Sequence, residues 1–295
     1  MTLKRIVDLL SVWRLREVIS GLIPILLASL DQNRINFPIL AMVCLGYFLI
    51  IESSFLINEY SDSFDTDILS HKEKGIITSK SSRKFTLISF IIVSVLGLLI
   101  MWKIGLFAVG LISFILLTLY SVPPVRFKSR PFLDLIVVTL CYAVLPYLSY
   151  LSIIHAPISE VTVIILLFFA SGFIAIDLVT EGSDIDADKN SGIATSAVFF
   201  GHKTNLTMIR LFSFASLVLG IFAMVLSFHW WYILLVINMF LLFTAGNYGL
   251  SLLKNQARLE ELYTVGVKFG IISANLLIIV LAILVGIKII FIPNA

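Results

Sequence analysis

The chain has 295 residues, of which 59% are hydrophobic and 13% are charged, and its formal net charge is +3. A soluble domain of this length cannot bury so much apolar surface, so these values exclude a soluble enzyme and give no reason to expect a nucleic-acid partner. They predict an integral membrane protein surrounded by membrane lipids.

A transmembrane helix needs about 20 consecutive apolar residues. The sequence contains segments of roughly this kind at residues 17–32, 37–59, 84–103, 105–121, 132–153, 159–181, 205–228, 230–253 and 265–291. We therefore predict an all-α integral membrane protein with nine transmembrane helices, organised as a single domain over residues 1–295.

Basic residues are distributed unevenly between the two sides of the predicted helices. If the N-terminus is placed on one side, 18 of the 21 Lys and Arg residues fall on that side. Loops rich in Lys and Arg stay in the cytoplasm. We therefore predict a plasma (inner) membrane protein whose N-terminus and longer loops are cytoplasmic, and we expect the functional site in those loops.

The first cluster of acidic residues directly follows the second predicted helix. Residues 58–67 read NEYSDSFDTD, in which Asn58, Asp62 and Asp65 share one face if the helix continues through them. Inside the same helix lies a further carboxyl, that of Glu52. An ionisable group within a membrane span is a functional candidate by default.

Basic side chains follow in the cytoplasmic loops. The loop between the fourth and fifth predicted helices reads YSVPPVRFKSRPF, and the candidate phosphate-binding residues of all these loops are Lys72, Lys74, Arg126, Lys128 and Lys189. Arg and Lys bind phosphate oxygens through charge-assisted hydrogen bonds. The loops therefore predict a ligand that carries phosphate.

A second acidic cluster follows the sixth predicted helix. Its carboxylates are spaced by 4, 3 and 4 residues, which stacks them on one helix face, at Asp177, Glu181, Asp184 and Asp188. Like charges at this spacing repel one another unless a cation lies between them. Oxygen ligands without sets of Cys and His favour Mg²⁺. Two such clusters would clamp a diphosphate between metal ions, and the plain alternative is a solvated acidic loop.

In these motifs and in their order, the whole chain resembles the UbiA-type intramembrane prenyltransferases. That family has nine transmembrane helices around a central cavity, which opens to a cytoplasmic-side active site with two Asp-rich motifs. Its first motif, N(D/E)xxDxxxD, is matched by Asn58, Glu59 and Asp62. The last Asp falls on Thr66, and a one-residue insertion would make Asp67 its counterpart, which we favour over Asp65.

The second motif is matched by Asp177, Asp184, Asp188, Gly192 and Thr195, and a third by Tyr120, Arg126 and Lys128. The resemblance implies that one Mg²⁺ is held by Asn58, Asp62 and Asp67 and another by Asp184 and Asp188. It leaves Asp177 as a ligand or as a base near the acceptor. Glu52 is the other candidate base, and the ring of Tyr120 is a candidate for stabilising a carbocation.

The function implied by the resemblance is Mg²⁺-dependent transfer of a prenyl group from a prenyl diphosphate to a lipophilic acceptor. The stretches SDIDADKNSGIATSAVFFG and YSVPPVRFKSRPFLD resemble the lycopene elongase-like branch, which favours a carotenoid end group. An aromatic acid that is a quinone precursor, or another lipid, is the alternative acceptor. An ion-coupled transporter is the alternative of another class, but its ionisable groups would lie near the bilayer midplane.

Overall fold

A computed structural model describes residues 13–31, 35–64, 80–227, 232–253 and 255–291. The regular elements in these ranges are helices, as predicted for an all-α protein. They are α1 (Leu15–Ser20), α2 (Ile23–Leu30), α3 (Phe37–Asp62), α4 (Lys80–Lys103), α5 (Phe107–Ser121), α6 (Leu133–Thr139), α7 (Leu145–Ile153), α8 (Glu160–Gly182), α9 (Ile185–Asn190), α10 (Ser196–Ser227), α11 (Tyr232–Ser251) and α12 (Gln256–Phe291).

The predicted membrane segments each coincide with helical structure. In the described part of the chain six helices are long and apolar enough to cross a membrane, namely Phe37–Asp62, Ser82–Lys103, Leu133–Ile153, Glu160–Gly182, Ser196–Ser227 and Glu261–Ile290. Shorter apolar helices cover the other segments, at Glu17–Leu30, Phe107–Ser121 and Leu235–Ser251. The all-helical membrane class is confirmed, and the number of nine spans stays a prediction.

The first predicted segment is broken in the middle. Instead of one helix over 17–32, α1 ends at Ser20 and α2 begins at Ile23. Pro24 lies in the first turn of α2, where its missing N–H costs nothing, whereas a helix continuous with α1 would place its ring against a carbonyl. A Cβ on Gly21 would lie 2.6 Å from the Ile51 side chain, so the break also lets α1 approach α3 closely.

The helices form a closed ring of neighbours. From α3 the order of contacts runs through α5, α6, α8, α10, α11 and α12, and α12 returns to α1 and α2, which pack on α3. Between α6 and α7 the chain stays helical through one π-helical turn, Leu140–Val144, directly before Pro146. Proline removes a backbone donor, and a wider turn accommodates that loss.

Small residues let α8 and α10 pack closely. A Cβ on Gly172 would lie 3.1 Å from the Ser216 hydroxyl, and that hydroxyl donates a hydrogen bond to the Phe168 carbonyl at 3.0 Å. Close approach and interhelical hydrogen bonds replace the hydrophobic driving force that lipid does not supply. Large apolar side chains point outward instead, among them Ile92, Val95, Phe222, Ile272 and Ile283. They suit a surface that faces lipid tails.

The end of the bundle opposite the acidic motifs is held by a polar cluster. Asp31, at the end of α2, accepts hydrogen bonds from the hydroxyls of Tyr147 and Tyr232. Lys288 of α12 donates to the Leu30 carbonyl at 2.5 Å and interacts electrostatically with Asp31. The cluster thus joins helices from the beginning, middle and end of the chain.

We expect the Tyr232→Phe variant to melt about 3–6 °C lower than the wild type in detergent, because it removes the closer of the two hydroxyls that donate to Oδ2 of Asp31. Tyr248→Phe is the matched control on the same helix, since the Tyr248 side chain is exposed. Melting is followed by tryptophan fluorescence. Equal melting temperatures for the two variants would show that the cluster does not stabilise the bundle.

Candidate active site

The first acidic motif lies on the last turn of α3. The predicted span ended at residue 59, but the helix continues to Asp62, so Asn58 and Asp62 are one turn apart on the same face. Only 7% of Asp62 is exposed. A carboxylate in so apolar a protein needs a cation or hydrogen-bond donors beside it.

Lys128 supplies that partner. Its ammonium group lies 2.7 Å from Oδ1 of Asn58 and 2.5 Å from Oδ1 of Asp62. Arg126 approaches the same Asp62 oxygen at 3.5 Å. The structure therefore brings together four residues that were predicted for two different roles, metal binding and phosphate binding.

The loop that carries these cations has an unusual backbone. Arg126 and Phe132 have φ angles of 40° and 70°, which residues with a side chain rarely adopt. Between them residues 127–129 form a short 3₁₀ helix. Such conformations cost about 1–3 kcal/mol each and cluster at functional sites. The loop shape places Lys128 against α3.

The second acidic motif reaches the same place. Asp184 precedes the short helix α9, and Asp188 lies within it. Burial raises the pKa of the Asp188 carboxyl to about 7, with the charges of Asp184 and Asp62 acting in the same direction and Lys128 acting against them. Asp188 is thus close enough to interact electrostatically with both Asp62 and Lys128. The two acidic motifs therefore lie near each other.

The donor set fits Mg²⁺ in its chemistry. Asn58, Asp62, Asp184 and Asp188 offer only oxygen ligands, and excess negative charge around Asp188 favours a cation. Among the described residues no three His, Cys, Asp or Glu side chains form a metal site by themselves. Mg²⁺ commonly completes its shell with water and substrate phosphates, so a smaller protein set is sufficient.

The structure does not describe all of the predicted residues. Asp65, Asp67, Lys72 and Lys74 lie outside the described residues. Lys189 is exposed at the end of α9. Of the predicted metal-binding and phosphate-binding residues, those that the structure describes near one another are Asn58, Asp62, Arg126, Lys128, Asp184 and Asp188.

A second group of carboxyls lies beside the first. Asp177, Glu181 and Asp134 interact electrostatically with one another, and Tyr120 interacts with all three. Oδ2 of Asp177 and Oε1 of Glu181 are inaccessible to solvent and make no hydrogen bond to any described residue. Unpartnered buried carboxyl oxygens are costly, which marks this cluster as a place for proton transfer or ligand contact.

Asp134 is absent from the predicted site residues. The available signal was an acid within the first residues of the predicted span 132–153, and intramembrane acids are functional candidates. Asp134 was not predicted as a site residue because it is far in sequence from both acidic motifs.

Glu52 is fully buried, and the backbone N–H of Arg14 is the polar group that interacts with its carboxyl. Its charged neighbours are Arg14 and Glu17 of the first helix instead of the cluster around Asp177. Arg14 itself forms an ion pair with Glu59 and lies 5.4 Å from the centre of the Phe55 ring. The two predicted bases, Glu52 and Asp177, therefore have different surroundings.

A comparison with known protein families matches residues 18–269 to the UbiA prenyltransferase family. A lycopene elongase/hydratase of Haloarcula japonica is 30% identical over 170 residues, which is 56% of this chain and 56% of that protein. The matched segment thus spans about half the length of this relative.

Solved structures share the fold at lower identity. A UbiA homolog from Archaeoglobus fulgidus, bound to DMAPP and Mg²⁺, is 19% identical with a TM-score of 0.65, over 92% of this chain and 99% of that one. The apo structure of a UbiA homolog from Aeropyrum pernix is 12% identical with a TM-score of 0.67, over 90% and 98%. The arrangement of helices is therefore shared nearly throughout.

Measurements of cation binding test whether the two acidic motifs form one metal site. We expect Asp188→Asn to weaken Mn²⁺ binding about tenfold or more, because it removes a charge from the place where Asp184 and Asp62 converge. Asp186→Asn is the matched control on the same helix, since Asp186 faces His202 at 3.5 Å. Electron paramagnetic resonance of Mn²⁺ with inorganic diphosphate gives both affinities. Equal losses for both variants would contradict a specific site.

Proposed function

The chain belongs to the UbiA prenyltransferase family, and we propose that it transfers a prenyl group from an allylic prenyl diphosphate to a lipophilic acceptor within the membrane. The observation that carries this proposal is the contact of Lys128 with Asn58 and Asp62. It joins a phosphate-binding cation to an acidic motif at one end of an apolar helix bundle.

Cleavage of the donor leaves negative charge on the diphosphate. Arg126 and Lys128 would donate hydrogen bonds to its oxygens, and positively charged groups held there in advance stabilise this charge as it develops. Asn58 and Asp62, with Asp67, and Asp184 and Asp188 would hold Mg²⁺. When bound, Mg²⁺ neutralises the diphosphate further.

At the acceptor, the bond from the allylic carbon to the diphosphate oxygen breaks and a bond to an acceptor carbon forms. The acceptor then loses a proton, and the carboxylate of Asp177 is the proposed base. Its unpartnered Oδ2 supports this role. Tyr120, next to the same carboxyl cluster, offers an aromatic face for the allylic cation.

We propose a carotenoid end group as the acceptor. The similarity to the lycopene elongase/hydratase of Haloarcula japonica supports an apolar polyene. An aromatic acid would need a cation for its carboxylate, and Arg14, the candidate nearest to Glu52, forms an ion pair with Glu59. Quinone precursors and other lipids remain the alternative acceptors.

The rival of another class is an ion-coupled transporter. Transporters bind ions near the bilayer midplane. Here the described acids of both motifs lie at the ends of α3 and α8, and Glu52 is the exception deeper in α3. Their position at one membrane face supports the enzyme.

Expression in a host that makes lycopene tests the proposal. We expect pigments lengthened by five-carbon units, and no lengthening with Asp62→Ala or Asp188→Ala, because each removes a proposed metal ligand. Asp186→Asn is the control that keeps activity. Pigments are identified by mass spectrometry, and membranes are assayed with dimethylallyl, farnesyl and geranylgeranyl diphosphates with and without EDTA.

The outcomes separate the alternatives. Turnover in excess EDTA would contradict the Mg²⁺ requirement. Unchanged lycopene together with a prenylated aromatic acid would replace the carotenoid acceptor and keep the family reaction. Ion flux through reconstituted protein without any prenyl transfer would favour the transporter.

We further propose that the chain is a single catalytic domain whose acidic end faces the cytoplasm, which the distribution of Lys and Arg supports. In a variant that lacks Cys44 and Cys141, an Asn190→Cys substitution should react with an impermeant maleimide only after cells are permeabilised. Ile158→Cys, between α7 and α8, is the control that should react in intact cells. The reverse pattern would invert the orientation.

A further inference from the structure

Asp134 is a buried acid that the proposed mechanism does not use. It lies at the start of α6, directly after the loop that carries Arg126 and Lys128, and 0% of it is exposed. A buried carboxyl is destabilising unless its oxygens are hydrogen-bonded. Its partners therefore indicate what it holds in place.

Both carboxyl oxygens of Asp134 accept hydrogen bonds from Ser196, and Oδ1 also accepts the backbone N–H of the neighbouring Leu135 at 2.8 Å. Oδ2 accepts the backbone N–H of Ser196 at 2.6 Å, and Oδ1 accepts its hydroxyl at 2.6 Å. The Ser196 oxygen in turn accepts the N–H of Phe132 at 2.7 Å. These hydrogen bonds join the end of the loop to the first turn of α10.

Phe132 is the residue of this loop that most needs such support. Its φ of 70° is in a region that residues with a side chain avoid, and such a conformation persists only where surrounding contacts impose it. The hydrogen bond from its N–H to Ser196 is a contact of this kind. Without it the loop would be free to relax, and Lys128, four residues earlier, would move with it.

The first turn of α10 also holds the second acidic motif. Oε2 of Glu181 accepts the N–H of Ala197 at 3.0 Å. Glu181 is in the last turn of α8, three residues before Asp184. The unpaired N–H groups at a helix start bind carboxylates well. One helix start therefore fixes the cationic loop and the acidic motif relative to each other.

We propose that Asp134 is a positioning residue for the donor diphosphate. Through Ser196 it holds residues 126–132 in the shape that places Lys128 against Asn58 and Asp62. The inference rests on the proposed function, in which Lys128 binds the diphosphate. Asp134 acts through Lys128 and not on the donor itself.

Substitution with a side chain of equal size tests this role. In Asp134→Asn one oxygen becomes an NH₂ group, which cannot accept a hydrogen bond from Ser196. We expect the KM for the prenyl diphosphate to rise about tenfold. The KM is the diagnostic quantity, because Asp134 also interacts electrostatically with Asp177, the proposed base, and its loss can change kcat through that charge. Ser196→Ala should behave alike, and Ser196→Thr, which keeps the hydroxyl, should restore the KM.

Ser213→Ala is the matched control. Ser213 is buried on the same helix, and its hydroxyl donates to the Ile209 and Arg210 carbonyls of that helix. We expect this variant to keep the wild-type KM. An equal rise in KM would mean that any buried serine of α10 has the same effect, and it would overturn the proposal.

A double-mutant cycle with Lys128→Ala separates positioning from general stability. If Asp134 acts through Lys128, then Asp134→Asn should change the KM less than about twofold in the Lys128→Ala background. A full tenfold effect in that background would show that Asp134 acts independently of Lys128, and it would overturn the proposal. So would a wild-type KM for Asp134→Asn alone.

Hydrogen exchange provides a measurement that needs no turnover. The amides of residues 125–130 and of Phe132 should exchange faster in Asp134→Asn and Ser196→Ala, and at the wild-type rate in Ser213→Ala. Unchanged exchange in the first two variants would overturn the proposal. A wild-type protein that transfers no prenyl group would instead overturn the proposed function, so the two failures are distinguishable.

Discussion

The hydrogen bonds of the Lys128 ammonium to Asn58 and Asp62 are the interaction on which the site depends. In a chain with 13% charged residues, a buried charge is destabilising unless an opposite charge or hydrogen-bond donors lie beside it. Here the opposite charges are Lys128 of a loop and Asp62 of a helix, which are 66 residues apart in the sequence. A ligand that brings both phosphate and a divalent cation can satisfy each partner separately. The contact between Lys128 and Asp62 can therefore be replaced by contacts of each residue with such a ligand.

The surrounding structure can be understood as support for that contact. The loop with Lys128 takes a shape that its own residues disfavour, at Arg126 and Phe132. The start of α10 stabilises it through Ser196 and also receives Glu181 from α8. The same backbone groups that would be left unpaired at a helix start thus become the fixed reference for two parts of the site. The same atoms therefore cap the helix and hold the geometry of the candidate site.

The sequence predicted what depends on local composition. Apolar runs located the helices, and helical periodicity placed Asn58 and Asp62 on one face, because both follow from neighbouring residues. The break at Gly21 and the helical turn at residues 196–200 were not predicted, since they depend on contacts with distant helices. Gly201, with a φ of 68°, separates that turn from the rest of α10 by a kink. The same holds for Asp134, whose partner is 62 residues away. Glu52 and Asp177 looked equivalent as acids in spans but have different neighbours.

The length of α12 has a consequence for where the products go. Its 36 residues extend about 54 Å, against a hydrocarbon core of about 30 Å. Its first turns, where the Tyr263 hydroxyl meets Asn205 near the end of α8, therefore rise past the lipid tails toward the headgroups. In the proposed reaction, diphosphate released at that level would enter water, whereas a prenylated lipid would stay among the acyl chains. The two products of one turnover would separate because one is soluble in water and the other in lipid. This separation would disfavour the reverse reaction.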